Sequence, residues 1–187
     1  MKLLDPEIGK SAVRFARCVV GTRFGFNDSG SLDYSKKHGV FVTIYRHPSL
    51  QLRGCIGFID GIFSIKEGVV RASRAAAFSD QRFKAFIIDE LKRIVISVSL
   101  LTKPGLFKND EADKIKIGED GLIVENGNKK GLLLPIVAVE QKWNYKEFLE
   151  GCCLKAGLKK DAWKGKGCKL FKFNTQVFSE TKPGKYE

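Results

Sequence analysis

The chain has 187 residues, of which 43% are hydrophobic and 11% aromatic, so it can form a folded core and is not a disordered chain. Its formal net charge is +12 at pH 7, which fits a phosphate-bearing partner but equally fits a lysine-rich solvated surface or a bias from a hot growth environment. No apolar run approaches the ~20 residues that a membrane helix needs, and the start, MKLLDPEIGK, lacks a signal-peptide pattern. We therefore expect a soluble protein of the cytoplasm, without a membrane partner.

The cysteines and histidines form no recognisable metal or disulfide framework. The five cysteines are an odd number and contain no C-x-x-C pair, and the chain has only two histidines, His38 and His47. Neither a G-x-G-x-x-G nor a Walker sequence occurs. The sequence thus predicts no metal and no cofactor, and free thiols fit a reducing compartment.

The N-terminal third predicts a helix followed by two paired strands. Asp5 and Pro6 fit the N-cap and first position of a helix that we expect to run to about Phe24. Residues 26–33 are typical of a loop. The stretches HGVFVTIYR (38–46) and LQLRGCIGFI (50–59) are rich in β-branched and aromatic residues, and they predict an antiparallel hairpin.

The rest of the chain predicts further helices and strands in mixed order. Ser64 and Glu67 form a capping box for a second helix, whose alanine triplet at 75–77 predicts close approach to another element. Residues 93–101 predict a central strand, and residues 114–135 predict three short strands with Asp-Gly and Asn-Gly turns. A short helix from Pro135, a helix capped by Asn144 and a last strand over 171–180 follow. Hairpins outnumber β-helix-β units, so we expect an α+β fold with a largely antiparallel sheet.

The stretch LRGCIGF (52–58) contains the first candidate site. Arg53 and Cys55 would share one face of a regular strand, where the guanidinium favours the thiolate form that reacts. Gly54 and Gly57 would allow a ligand or another backbone to approach closely. From the residues alone, two interpretations remain open: a reactive thiol, or a small buried cysteine in a tightly packed strand.

The stretch AAFSDQRF (76–83) contains the second candidate site. Asp80 and Arg82 follow the end of a predicted helix, and such a pair can bind a polar substrate or tie the helix end to the next loop. Ser97 and Ser99 share one face of the 93–101 strand, where they fit a polar pocket or ordinary strand packing.

Two basic regions suggest a different kind of function. Residues 155–172 hold seven lysines and one aspartate, and Arg71 and Arg74 lie three apart on the second helix. Either region could contact the phosphates of a nucleic acid, but a solvated lysine-rich face would have the same composition. A non-enzymatic protein- or nucleic-acid-binding module is therefore the alternative to an enzyme or small-molecule-binding protein.

Taken in order, these stretches resemble the AMMECR family, which is widespread in archaea and bacteria and known from a human chromosomal-deletion region. The signature is LRGCIG, and the other matching segments lie along nearly the whole chain: 38–43, 52–58, 76–83, 96–102, 118–124, 131–143 and 153–158. Two positions depart from the family pattern. Lys84-Ala85 stand where a proline pair is common, and Ile136 stands where glutamine is frequent.

The resemblance implies one AMMECR-type domain over residues 1–187, with two lobes and the signature residues in a cleft between them. It assigns no reaction, and it implies association with Memo-type or radical S-adenosylmethionine proteins. In the enzyme interpretation, Cys55 is the nucleophile or a thiol ligand and Asp80 orients an arginine or handles a proton. Arg53, Gly54, Gly57 and Arg82 then form the ligand-binding set.

Overall fold

The computed structural model describes residues 5–25, 32 and 34–186. They fall into two compact units: unit 1 comprises Met1–Leu101 and Gln176–Glu187, and unit 2 comprises Thr102–Thr175. The predicted loop at 26–33 lies, apart from residue 32, outside the described residues.

Unit 1 places two helices on one face of an antiparallel sheet. Its elements are α1 (Pro6–Thr22), β1 (Gly39–Arg46), β2 (Gln51–Phe58), α2 (Ile65–Phe78), a 3-10 helix (Ile88–Arg93), β3 (Ile94–Leu101) and the final residues of β7 (Lys169–Ser179). The first strands are ordered β2-β1-β3, which leaves β2 at the edge of the sheet and confirms the predicted hairpin.

The helices of unit 1 begin where the caps predict and pack through their small residues. The Asp5 carboxylate accepts a hydrogen bond from the Glu7 backbone N–H at 2.9 Å, and the Ser64 hydroxyl accepts one from Glu67 N–H at 3.2 Å. The α2 helix lies so close to β2 that a Cβ on Gly54 would stand 2.2 Å from the Ala76 carbonyl oxygen. This contact confirms the close approach predicted from the alanine triplet.

The β1–β2 pairing contains an irregularity that matters for the site. Arg46 pairs with Gln51 and Tyr45 with Leu52, but Ile44 pairs with Gly54. Arg53 is therefore an extra residue in β2, as in a β-bulge, and every later partner is displaced by one position. The expectation that Arg53 and Cys55 lie side by side on a regular strand is wrong for this reason.

Unit 2 is built on antiparallel strands and has its own core. Its strands β4 (Gly105–Phe107), β5 (Asp120–Asn126), β6 (Lys129–Leu133) and β7 are ordered β4-β7-β5-β6, and helices α3 (Pro135–Glu140) and α4 (Tyr145–Lys155) contact them. Two 3-10 helices, Asn109–Lys114 and Ala162–Lys164, complete it. The core contains Phe148, Leu149 and the two adjacent cysteines of α4.

The predicted first strand of the 114–135 region is wrong. A turn replaces it, because the Asp120 backbone N–H binds the Lys116 carbonyl at 2.9 Å and its carboxylate accepts the Lys116 N–H at 3.0 Å. Gly118 has φ +85°, a left-handed conformation that glycine accommodates readily. Asp120-Gly121 accordingly begins β5, whereas the Asn126-Gly127 turn forms as predicted.

Every strand pair whose register is defined is antiparallel, which confirms the α+β fold class. Within the described ranges, none of the helices has both the length and the apolar character needed to cross a membrane.

Candidate functional site

Cys55 lies on the edge strand β2, opposite Thr43 on β1. The Thr43 hydroxyl donates a hydrogen bond to the Cys55 sulfur at 3.3 Å, and Ser97 of β3 pairs with Thr43 from the other side. Directly paired residues share one face of a sheet. Cys55, Thr43 and Ser97 therefore form a row of small polar side chains across three strands, and Ser99 lies two residues further along the same face.

Asp80 and Arg82 bind the outward peptide groups of Cys55. A carboxylate oxygen of Asp80 accepts the Cys55 N–H at 2.9 Å, and Arg82 Nη2 donates to the Cys55 carbonyl at 3.1 Å. An edge strand otherwise leaves such groups to water. The Asp–Arg pair takes the place of a neighbouring strand at this residue and fixes the backbone that carries the thiol.

The Asp80–Arg82 pair is held together by two parallel hydrogen bonds. Arg82 Nε and Nη2 donate to the two carboxylate oxygens of Asp80 at 3.0 and 2.8 Å. These bonds hold the pKa of Asp80 well below its usual range, against the opposing effect of burial, and Asp80 in turn raises the pKa of Arg82. Asp80 is buried and ionised, while the Arg82 side chain is 56% exposed. This arrangement suits an orienting role for Asp80 better than proton transfer.

Arg53 belongs to a separate buried cluster with Glu90 and the Lys84 carbonyl. Its Nε and Nη2 donate to the Glu90 carboxylate at 2.6 and 2.9 Å, and Nη2 also donates to the Lys84 carbonyl at 2.9 Å. Burial works against the charge on Glu90, yet the hydrogen bonds from Arg53 keep the pKa of Glu90 below its ordinary value. Because Arg53 is only 3% exposed and already paired, its contacts explain a structural role; a ligand contact by Arg53 stays a prediction.

The two signature glycines are explained by packing inside unit 1. Gly54 lies against the Ala76 carbonyl, and a Cβ on Gly57 would meet the Phe41 ring at 2.2 Å. Their predicted part in ligand binding is not tested by these contacts.

Neither histidine is hydrogen-bonded to the Cys55 sulfur in the described structure. His38 Nδ1 lies 3.0 Å from the Leu101 carbonyl, and His47 lines a cavity of about 1000 Å³ together with Arg46 and Glu90. Among residues 5–25, 32 and 34–186, no group of three or more metal-binding side chains comes together.

Sequence reasoning missed Thr43 and Glu90 as neighbours of the signature. Thr43 is the polar residue of the apolar stretch VFVTIY, and that contrast is the one signal that marks it. Glu90 lies 37 residues from Arg53, and nothing in the sequence pairs the two.

The lysine-rich region at 155–172 belongs to unit 2, and most of it is exposed. Lys172 is an exception, because its ammonium lies 3.6 Å from the Asp120 carboxylate. The described contacts therefore leave a set of exposed lysines on this segment: Lys155, Lys159, Lys160, Lys164, Lys166 and Lys169.

The fold is that of a two-unit antiparallel α+β chain with the signature cysteine on an edge strand. The AMMECR1 family model matches residues 13–178, so the chain belongs to this family and the resemblance is confirmed. It is similar to protein MJ0810 of Methanocaldococcus jannaschii, with 41% identity over 191 residues that cover 98% of this chain and 95% of MJ0810. Protein Ta0236 of Thermoplasma acidophilum is 40% identical over 184 residues, covering 95% and 89%.

A solved structure has the same fold. The crystal structure of the uncharacterized protein PH0010 from Pyrococcus horikoshii is 38% identical and matches with a TM-score of 0.87, covering 99% of this chain and 97% of that one. The family and the fold are thus established, and the chemistry has to be argued from the site itself.

Proposed function

We propose that the protein binds a small anionic ligand beside Cys55 and that the Cys55 thiol reacts with it or ligates it. The observation that carries this proposal is the Asp80–Arg82 pair, which hydrogen-bonds to both the N–H and the carbonyl of Cys55, while Cys55 stays partly exposed.

The environment of Cys55 differs from that of the other four cysteines. Those four are buried, and burial raises the pKa of Cys152 to about 12, that of Cys153 to about 11 and that of Cys168 in the same direction. A thiol reacts as the thiolate, so these three stay inert near neutral pH. Cys55 is the partly exposed member of the five, which makes it the accessible thiol of the chain.

Arg82 supplies the preference for an anion. One edge of its guanidinium is bound to Asp80, but the side chain is 56% exposed and Nη2 reaches the Cys55 carbonyl. A carboxylate or phosphate that approaches the sulfur therefore comes near a fixed positive charge. Asp80 offsets part of that charge and keeps the group in place.

The test compares two alkylating reagents that differ in charge. Iodoacetate is an anion and iodoacetamide is neutral; in both cases the sulfur bonds to carbon, iodide leaves with the electron pair and the thiol proton passes to buffer. We expect peptide mass spectrometry on the folded protein to show Cys55 modified fastest of the five thiols. We also expect Arg82→Gln to lower the iodoacetate-to-iodoacetamide rate ratio at Cys55 about threefold at low salt.

Two further variants make this result specific. Asp80→Asn leaves the Arg82 charge uncompensated and should raise the ratio, whereas Arg14→Gln, a change of equal charge on the exposed face of α1, should leave it unchanged. Protection of Cys55 until the protein unfolds, or an equal ratio in all variants, would contradict the proposal.

A second candidate function rests on the exposed lysines of residues 155–172. We propose, as the alternative, that this segment binds the backbone of a nucleic acid without a reaction. It predicts affinity for single- or double-stranded oligonucleotides that falls steeply with salt and weakens when Lys159, Lys160 and Lys164 are replaced by glutamine. Affinity that barely changes between low and moderate salt would exclude it.

A further inference from the structure

We propose that a second site, on the helical side of unit 1, binds a small organic molecule through its phosphate group. A cavity of about 720 Å³ lies between the C-terminal parts of α1 and α2. Its polar wall contains three arginines, Arg23, Arg71 and Arg74, and its apolar wall contains Val19 and Phe78. The site is independent of Cys55, which does not line it.

The three arginines of this cavity have no carboxylate partner among the described residues, as is also true of Arg14 and Arg93, which do not line it. Four arginines of this unit have a carboxylate within 4.0 Å: Arg17, Arg46, Arg53 and Arg82. Over the described ranges, Arg23, Arg71 and Arg74 have none. Glu67 lies four residues before Arg71 on α2, a spacing that allows an ion pair on a helix, but the two side chains do not form one. Within the part of the chain that the structure describes, no carboxylate offsets these three positive charges, so an anion that enters the cavity meets a net positive wall.

The helix dipoles do not account for this cluster. A helix C-terminus carries about −0.5 charge, and its effect fades within the last turn. Neither α1 nor α2 has a basic residue in its last turn, so Arg71 and Arg74 lie too early on α2 for this effect. Arg23 does follow the end of α1, but even two helix ends together contribute about −1 against three full positive charges.

Aromatic rings hold two of the guanidiniums in place. The Arg23 guanidinium lies over the Phe78 ring at 4.7 Å, and that of Arg71 lies over the Phe63 ring at 4.4 Å. Stacking occupies the flat face of a guanidinium and leaves the N–H groups on its edge free to bind oxygen atoms. Such groups match the several oxygens of a phosphate in both charge and geometry.

The lining also indicates the rest of the ligand. The volume of the cavity falls in the range of sites for small organic molecules, about 300–1000 Å³. Val19, Ala75 and Phe78 provide apolar surface beside the arginines, and the exposed residue Ser79 provides a hydroxyl at the rim. We therefore assign the site to a phosphate monoester with an apolar or aromatic body, rather than to a free inorganic ion.

The test is isothermal titration calorimetry at constant ionic strength with phenyl phosphate, inorganic phosphate and phenol as probes. We expect phenyl phosphate to bind more tightly than inorganic phosphate, and phenol not to bind. Arg71→Gln and Arg74→Gln should each weaken the binding of phenyl phosphate, and the double variant should weaken it tenfold or more. Both positions are exposed, so the variants should remain folded with at most a small change in thermal midpoint, and circular dichroism checks this.

Two controls separate this site from general charge and from the Cys55 site. Arg14→Gln removes the same charge elsewhere on α1 and should bind as the wild type does, and so should Cys55→Ser. Equal weakening by Arg14→Gln would overturn the proposal, as would absence of phenyl phosphate binding. A single-stranded oligonucleotide that displaces the probe and binds more tightly would also overturn it, by identifying the arginines as a nucleic-acid contact.

Discussion

Arg17 of α1 and Glu180, the residue directly after β7, form a buried ion pair within unit 1. The same guanidinium donates to the Leu91 and Ile94 carbonyls at 2.9 and 2.8 Å, and the Glu180 carboxylate also accepts the Ile96 N–H at 2.9 Å. One side-chain pair thus joins the first helix, the start of β3 and the C-terminal segment.

The first prediction concerns this pair. Arg17→Met leaves the Glu180 carboxylate buried without its cation, and we expect it to lower the free energy of unfolding by about 3–5 kcal/mol. Urea denaturation followed by circular dichroism measures the change. The matched control is Lys10→Met on the same helix, whose pairing with Glu7 is exposed and should contribute less than about 1 kcal/mol. Similar losses for both variants would contradict a special role for Arg17.

The second prediction concerns Arg53 and Glu90. Arg53→Lys keeps the charge but cannot reproduce the two parallel bonds to Glu90 together with the bond to the Lys84 carbonyl, so we expect a loss of about 2 kcal/mol. Arg46→Lys is the control, because Arg46 lies 4.0 Å from the same carboxylate and is 54% exposed. A double-mutant cycle with Glu90→Gln should give a coupling energy for Arg53 that is clearly larger than for Arg46.

The third prediction concerns the contact between β2 and α2. Gly54→Ala places a methyl group 2.2 Å from the Ala76 carbonyl oxygen, and backbone atoms on both sides have to move. We expect a loss of about 2–3 kcal/mol and a change in the reactivity of the adjacent Cys55. Gly105→Ala, where the closest atom lies at 4.0 Å, should have little effect on unfolding. Unchanged stability of Gly54→Ala would show that the helix can shift freely.

Much of the fold could be predicted from local chemistry. Caps at Asp5, Ser64 and Asn144 marked helix starts, and the Asn144 box forms with Glu147 at 2.8 Å. These signals succeed because the interacting groups are at most three residues apart, so the sequence alone brings them together.

The details of the site could not be predicted in this way, because they depend on one extra residue in a strand. An uninterrupted β1–β2 register continues the Tyr45–Leu52 pairing and places Thr43 opposite Gly54. The bulge at Arg53 displaces the register by one, so that Thr43 meets Cys55 instead. Nothing in LRGCIGF distinguishes the two registers, since the bulge is stabilised by Glu90 and α2, which lie far along the chain.

The strand predicted at 114–117 does not form, for a related reason. The alternation KIKI is typical of a half-buried strand, but the capping contacts of Asp120 close a turn over the same residues. These contacts outweigh the weak strand preference of a four-residue stretch.

The fourth prediction concerns acid unfolding and Asp80. In the folded protein the pKa of Asp80 lies well below its ordinary value of 3.8, which applies to the unfolded chain. As the pH falls, the unfolded chain therefore takes up a proton before the folded protein does. The stability that Asp80 contributes is therefore complete above about pH 4 and is lost progressively below it, toward the lowered folded pKa. Asp80→Asn removes the charge, and we expect it to lower the free energy of unfolding by about 1–3 kcal/mol at pH 7.

Because the wild type itself loses this contribution in acid, the difference between wild type and Asp80→Asn should shrink between pH 6 and pH 3. Urea titrations at several pH values measure it. The control is Asp89→Asn, at an exposed position of the 3-10 helix, for which we expect only a small loss of stability at pH 7. A gap for Asp80→Asn that stays constant down to pH 3 would mean that its carboxylate is not held in the ionised form, and the Asp80–Arg82 pair would then fail as the group that fixes Cys55.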